Sequence, residues 1–142
     1  MDDLQIQISE KAESAIEQFR TRSGDALDYS ESSLDVVEEI LAEASSYRHE
    51  LPADQVNAIT HLLGAYILEV GRRSFGGKYY WHDERDQPVL VVEERDYRIA
   101  MLVFDKIRGR LSGDEADNIP FFYRGFAAKA EAPQAGMDIL FV

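Results

Sequence analysis

The chain has 142 residues, 45% of them hydrophobic and 11% aromatic, which is enough for one domain with a real core. With no cysteine it has no disulfide framework, thiolate metal site or cysteine nucleophile, as befits a protein of the reducing cytoplasm, and its acidic opening is unlike a secretory signal. The net charge of −12 repels phosphate backbones and argues against nucleic-acid binding, and no apolar run approaches the ~18 residues of a membrane span.

The charge is unevenly spread. Residues 1–54 hold 14 Asp and Glu against 4 Lys and Arg, whereas residues 55–142 hold 13 against 11. This divides the single expected domain, residues 1–142, into an acidic helical part and a part with the central helix, sheet and C-terminal helices.

Leu4, Ile6 and Ile8 alternate with polar residues and predict a short strand. Ala12, Ala15, Ile16 and Phe19 then follow helical spacing after a potential Ser9 cap, and Gly24 stops that helix. Ser32 and Asp35 form a capping-box-like start to a second helix, running to about Tyr47. Its apolar side is Leu34, Val37, Ile40, Leu41 and Ala44, and Asp35, Glu38, Glu39 and Glu43 gather on the other. Like charges four residues apart, with no Lys between them, disfavour the isolated helix by a few tenths of a kcal/mol per pair. A partner of opposite sign would relieve that repulsion.

The longest helix is predicted over residues 53–74. Ile59, Leu62, Leu63, Tyr66, Ile67 and Val70 make its core face. Asn57, Thr60, Gly64, Leu68 and Gly71 form an uncharged opposite side open to a close neighbour, so this helix is expected to be central. Gly76 and Gly77 turn the chain into strands over residues 78–82, 88–93 and 97–100, followed by a helix through Phe104, Ile107 and Leu111. A last helix is capped by Asp117 or Asn118 and takes Pro120 in its first turn; Ile119, Phe122, Tyr123, Phe126 and Ala130 form its buried side. Phe121 lies off that side beside Arg124 and Gly125. It is expected to be covered by the C-terminal segment, residues 137–142, which docks as an edge strand or closes over the core; the alternative is an aromatic contact patch. The fold expected is α+β, with a central buried helix and flanking helices on a small, mostly antiparallel sheet of three or four strands.

Glu69 is the unusual residue of the long helix, a carboxylate 60° from Tyr66 among apolar neighbours. Unpaired, it would cost several kcal/mol or take up a proton. Arg73, four residues on in the favourable order, and the Trp81 indole N–H, brought back by the glycine turn, are the expected partners. Glu69 then either anchors helix to sheet or stands at the mouth of a cleft with Tyr66 and Trp81. His82, Asp83, Glu84 and Asp86 concentrate oxygen and nitrogen donors, but neighbouring strand residues point to opposite faces, and a solvated hairpin turn is the better reading. His61 falls on the polar flank of the long helix with Arg72, and His49 after the second helix. No metal or cofactor site is predicted. Nucleophile-elbow, phosphate-loop and zinc-protease motifs are absent from the sequence.

Gly64, Ala65, Tyr66, Glu69, Gly76, Gly77 and Trp81 together resemble small bacterial proteins of uncharacterised function. In these a Gly-Ala-Tyr-apolar-Gly-Glu helix leads through a Gly-Gly-Trp turn into a short sheet. The likeness spans residues 27–126. Leu68 stands in place of the pattern's second glycine, and Tyr79 and Tyr80 separate the glycine pair from Trp81. Some relatives of this kind look like toxin-immunity proteins, so the resemblance implies a fold and, through those relatives, an immunity-like role, and it supplies no substrate, cofactor or catalytic residue to carry over. Two functions are therefore expected: a non-catalytic, immunity- or inhibitor-like protein engaging a basic protein partner through Asp35, Glu38, Glu39 and Glu43, or a small enzyme or ligand-binding domain with Glu69 in a pocket near Trp81.

Overall fold

The computed structural model describes residues 2–142, in which six α-helices sit on one four-stranded sheet, an α+β fold. The opening strand expected at residues 4–8 is a helix instead, α1 (Asp3–Gln18), capped by the Asp2 carboxylate accepting from the Gln5 N–H at 2.8 Å. Leu4 and Ile8 satisfy a period of two and a period of four alike. The longer series of buried positions, Ile8, Ala12 and Ala15, decides for the helix, because it lays one stripe along the central helix and leaves Ile6 outside. Ser9 is therefore no cap; its hydroxyl faces inward. After Phe19 comes a single turn, α2 (Arg20–Ser23), closed by Gly24 at φ +59°.

The second long helix, α3 (Leu34–Ser45), begins from a 3₁₀ turn, Glu31–Ser33. The Ser32–Asp35 capping box does not form; Ser30 accepts the Ser33 N–H at 3.2 Å. With the hydroxyl cap two residues earlier, Ser33 is buried and its own hydroxyl faces the core.

The central helix, α4 (Ala53–Phe75), has 23 residues, about 34 Å at 1.5 Å per residue. Both predicted sides are covered over its middle, while Asn57 near the start is exposed. A Cβ on Gly64 would stand 2.4 Å from the Phe104 ring, and one on Gly71 2.9 Å from Leu90. These two positions are small because Phe104 and the sheet lie directly against them. Gly76 (φ +77°) and Gly77 (φ +102°) then turn the chain, with Gly77 seated where a Cβ would meet the Val91 carbonyl oxygen at 2.6 Å.

The sheet is β1 (Lys78–His82), β2 (Gln87–Glu94), β3 (Tyr97–Met101) and β4 (Asp138–Phe141), in that spatial order. The first three are antiparallel; β4, returning through α5 (Phe104–Leu111) and α6 (Ile119–Glu131), pairs parallel to β3 at the edge. Leu90, Val92, Ile99 and Met101 join the main core, while Val89, Val91, Ala100 and Leu102 form a separate apolar cluster on the opposite face. Gln87, expected in the turn, opens β2 and is buried, its Oε1 accepting the Phe104 N–H that starts α5. Asn118 caps α6 by accepting from the Phe121 N–H at 3.0 Å.

Candidate functional site

The Glu69 carboxylate is completely enclosed, with 0% exposure, and is surrounded by donors from three elements. Arg72 grips it with two bonds, Nε to Oε2 at 2.6 Å and Nη2 to Oε1 at 3.0 Å. The Tyr79 hydroxyl from β1 donates to Oε2 at 2.6 Å, and the Ser9 hydroxyl from α1 donates to Oε1 at 3.1 Å. Arg73, the partner expected from sequence, reaches Oε1 only at 3.4 Å and divides itself between Glu13 and the face of the Tyr29 ring, 3.7 Å away. Both arginines lie within one turn of Glu69. Arg72 makes the two-bond planar contact while Arg73 is drawn also to Tyr29 and Glu13, and Arg72 thus leaves the polar flank assigned to it with His61.

Burial pushes the Glu69 carboxyl up, but the bonds from Arg72, Tyr79 and Ser9 outweigh it and hold the group below the usual carboxylate range. Burial, followed by the bond to Glu69, raises the Tyr79 hydroxyl well above the ordinary phenol range. Glu69 is thus an anion with its acceptors occupied, and a general base needs a free one.

Tyr66 belongs to the adjoining network. Its hydroxyl accepts the Tyr29 N–H at 2.9 Å and meets the Ser33 hydroxyl at 2.6 Å, and its ring stacks on Tyr29 at 5.2 Å. Those contacts hold Tyr29 at φ +67°, a backbone region that a tyrosine rarely adopts. Tyr66, Glu69 and Arg73 therefore come together as expected, joined by Ser9, Arg72 and Tyr79, which sequence reasoning missed. Arg72 could have been found from its i+3 spacing, whereas Ser9, 60 residues from Glu69, carries no local signal.

Trp81 does not join them. It is half exposed and lines a groove of about 320 Å³ with residues of α1, α4 and α5; neither Glu69 nor Tyr66 reaches that groove. The expected pocket pairing Glu69 with Trp81 is not formed: Tyr79, on the same face of β1, takes the place beside Glu69, and Trp81 lies further along where the strand leaves the core.

The acidic face of α3 is divided. Asp35 and Glu39 are exposed and have no ion-pair partner among the described residues, and Glu43 pairs with Arg22 at 2.8 Å across the surface. Glu38 departs from the expected exposed set. Its Oε2 accepts from Arg110 Nε at 2.6 Å, and its Oε1 accepts the Ile119 N–H at 3.1 Å, tying α3 to α5 and the first turn of α6. Arg110 is only 8% exposed, so Glu38 is its counter-charge and is occupied internally. Nearby, Phe121 is 80% exposed on α6; the C-terminal strand docks beside β3 and does not cover it. Arg124, one turn from Phe121, bonds Glu31 at 3.3 Å, which places this aromatic on the flank bordering the start of α3.

At the β1–β2 turn, the His82 Nδ1 accepts the Arg85 N–H at 3.3 Å, and Asp83, Glu84 and Asp86 face solvent. No cluster of three or more potential metal ligands occurs among the described residues, and no helix among them is long and apolar enough to cross a membrane. No protein-family model, curated protein or solved structure matches this chain.

Proposed function

We propose that the protein is a non-catalytic interaction protein whose α3–α6 flank engages a basic protein partner. The observation that carries this reading is Phe121, a large apolar side chain held 80% exposed on a capped helix beside an acidic edge. Aromatic anchors surrounded by polar groups are the usual energetic centre of an interface. Asp35 and Glu39 supply negative charge without an ion-pair partner among the described residues, on the helix that Glu38 ties to the first turn of α6, and Glu43 on the same helix is paired with Arg22. Such a surface draws in a basic protein from about a Debye length, ~8 Å at physiological salt. The closed Glu69 network favours binding over catalysis, since the carboxylate that an enzyme would have used is occupied. An immunity- or inhibitor-like role in the cytoplasm is the form that the resemblance and the charge favour.

The test begins with affinity capture of a partner, followed by measurement of the purified pair by surface plasmon resonance. Phe121→Ala is expected to weaken the complex by about 30-fold, the equivalent of ~2 kcal/mol for a central aromatic. Asp35→Lys with Glu39→Lys should slow association and remove most of its salt dependence. A complex indifferent to both changes, and to ionic strength, would overturn this reading.

A further inference from the structure

The groove beside Trp81 is opposite in sign to the chain as a whole. Its floor is apolar, made by Ile8 of α1, Ala65 of α4 and the rings of Trp81 and Phe104. Phe104 sits that deep because Gly64 has no side chain, and His61 stacks on the same ring at 5.3 Å. Over this floor stand Lys11 and Arg108, both exposed. Lys11 has no ion-pair partner among the described residues, and the carboxylate nearest Arg108, Asp105, is 3.9 Å away, at the limit of contact. Asp86 is the one carboxylate lining the groove, contributed by the β1–β2 hairpin that also brings Trp81 and Pro88. On the far side of Arg108 a second groove carries Arg48 and His49 and is lined by no carboxylate. Desolvation, with Arg108 and Lys11 next to it, holds the His61 imidazole below its usual range, so at neutral pH it offers a neutral ring beside the two cations.

We propose that this groove binds a small amphipathic monocarboxylate, its apolar part laid between Trp81 and Phe104 and its carboxylate held by Lys11 and Arg108. Apolar walls with a few convergent polar groups are the general form of a ligand site, and two cations against the single lining carboxylate of Asp86 leave a net positive groove that favours an anion over a neutral or cationic amphiphile. A groove of about 320 Å³ accommodates a short-chain ligand, and octanoate, with one carboxylate and a short alkyl chain, is the probe that matches both parts of the site. The site uses none of the residues of the α3–α6 flank, so the two proposals stand or fall separately.

Trp81 is the sole tryptophan, and its emission in the full chain reports this groove directly. Titration with octanoate is expected to give a saturable emission change with sub-millimolar affinity and to raise the melting temperature. Octanol, the neutral analogue, should bind about tenfold more weakly, and octylammonium should not saturate. Lys11→Gln with Arg108→Gln should weaken octanoate by about tenfold and leave octanol unchanged; both positions are exposed, and circular dichroism checks the fold of the variant. Equal affinity for octanol and octanoate, an undiminished double variant, or an octanoate effect that never saturates and lowers the melting temperature would each overturn the proposal.

Discussion

Replacing Glu69 with alanine removes the acceptor on which α1, α4 and β1 converge. The Tyr79 hydroxyl, on a residue 3% exposed, is left without its partner, and a stranded buried donor costs ~1–3 kcal/mol. Arg72 keeps 24% of its side-chain surface and can turn to water, so its share is a weakened charge-assisted bond, not an isolated buried charge. Ser9, part-buried, has the same escape. Removing the carboxylate also ends its own desolvation, and the net expectation is a loss of about 3 kcal/mol, at the low end for breaking a buried ion pair. For a chain of this length that corresponds to a melting temperature lower by roughly 6–12 °C. Urea denaturation measures it as a lower midpoint at an unchanged slope. The pH dependence gives a second readout. Because the folded Glu69 carboxyl lies below its ordinary value of 4.5, the unfolded chain binds this proton first as pH falls. Its contribution is full above 4.5 and lost as pH drops through the folded value, so the wild type should lose stability more steeply than Glu69→Gln in that acid range. A midpoint unmoved by Glu69→Ala, with parallel acid profiles for wild type and Glu69→Gln, would refute the anchor.

Two neighbouring acidic residues of α3 should separate cleanly. Glu38→Ala is expected to destabilise by about 3 kcal/mol, since it strands Arg110, 8% exposed, and the Ile119 N–H, whereas Asp35→Ala stays within ~0.5 kcal/mol; urea midpoints decide between them. The glycine turn offers a similar contrast. Gly76→Ala meets open space but at φ +77°, ψ −151°, a region nearly confined to glycine, and should cost about 2 kcal/mol, while Gly77→Ala adds a clash with the Val91 carbonyl and should cost more, about 3 kcal/mol, as read from thermal melts.

Much of the fold was legible because its signals are local. The apolar stripes of α3 and α4 repeat within a few residues, the paired glycines demand positive φ, and the strands expected at 78–82 and 97–100 follow from β-rich runs between turns, the latter extended by Met101 in the fold. The small positions Gly64 and Gly71 announced a second covered side of α4, though nothing in them named Phe104 and Leu90 as the occupants.

The sequence by itself determined the class of fold, the central helix and the need of Glu69 for a hydrogen-bonding partner, since charge, periodicity and backbone freedom are properties of short segments. Only the tertiary structure decided that residues 4–8 coil, that Arg72 outranks Arg73, that Glu38 turns inward and that Phe121 stays outside. Each of those choices depends on a group brought from far along the chain, such as Ser9 to Glu69 across 60 residues or Arg110 to Glu38 across 72. A segment carries the desolvation cost of its charged groups within itself, but the donors that offset it arrive only when the elements assemble.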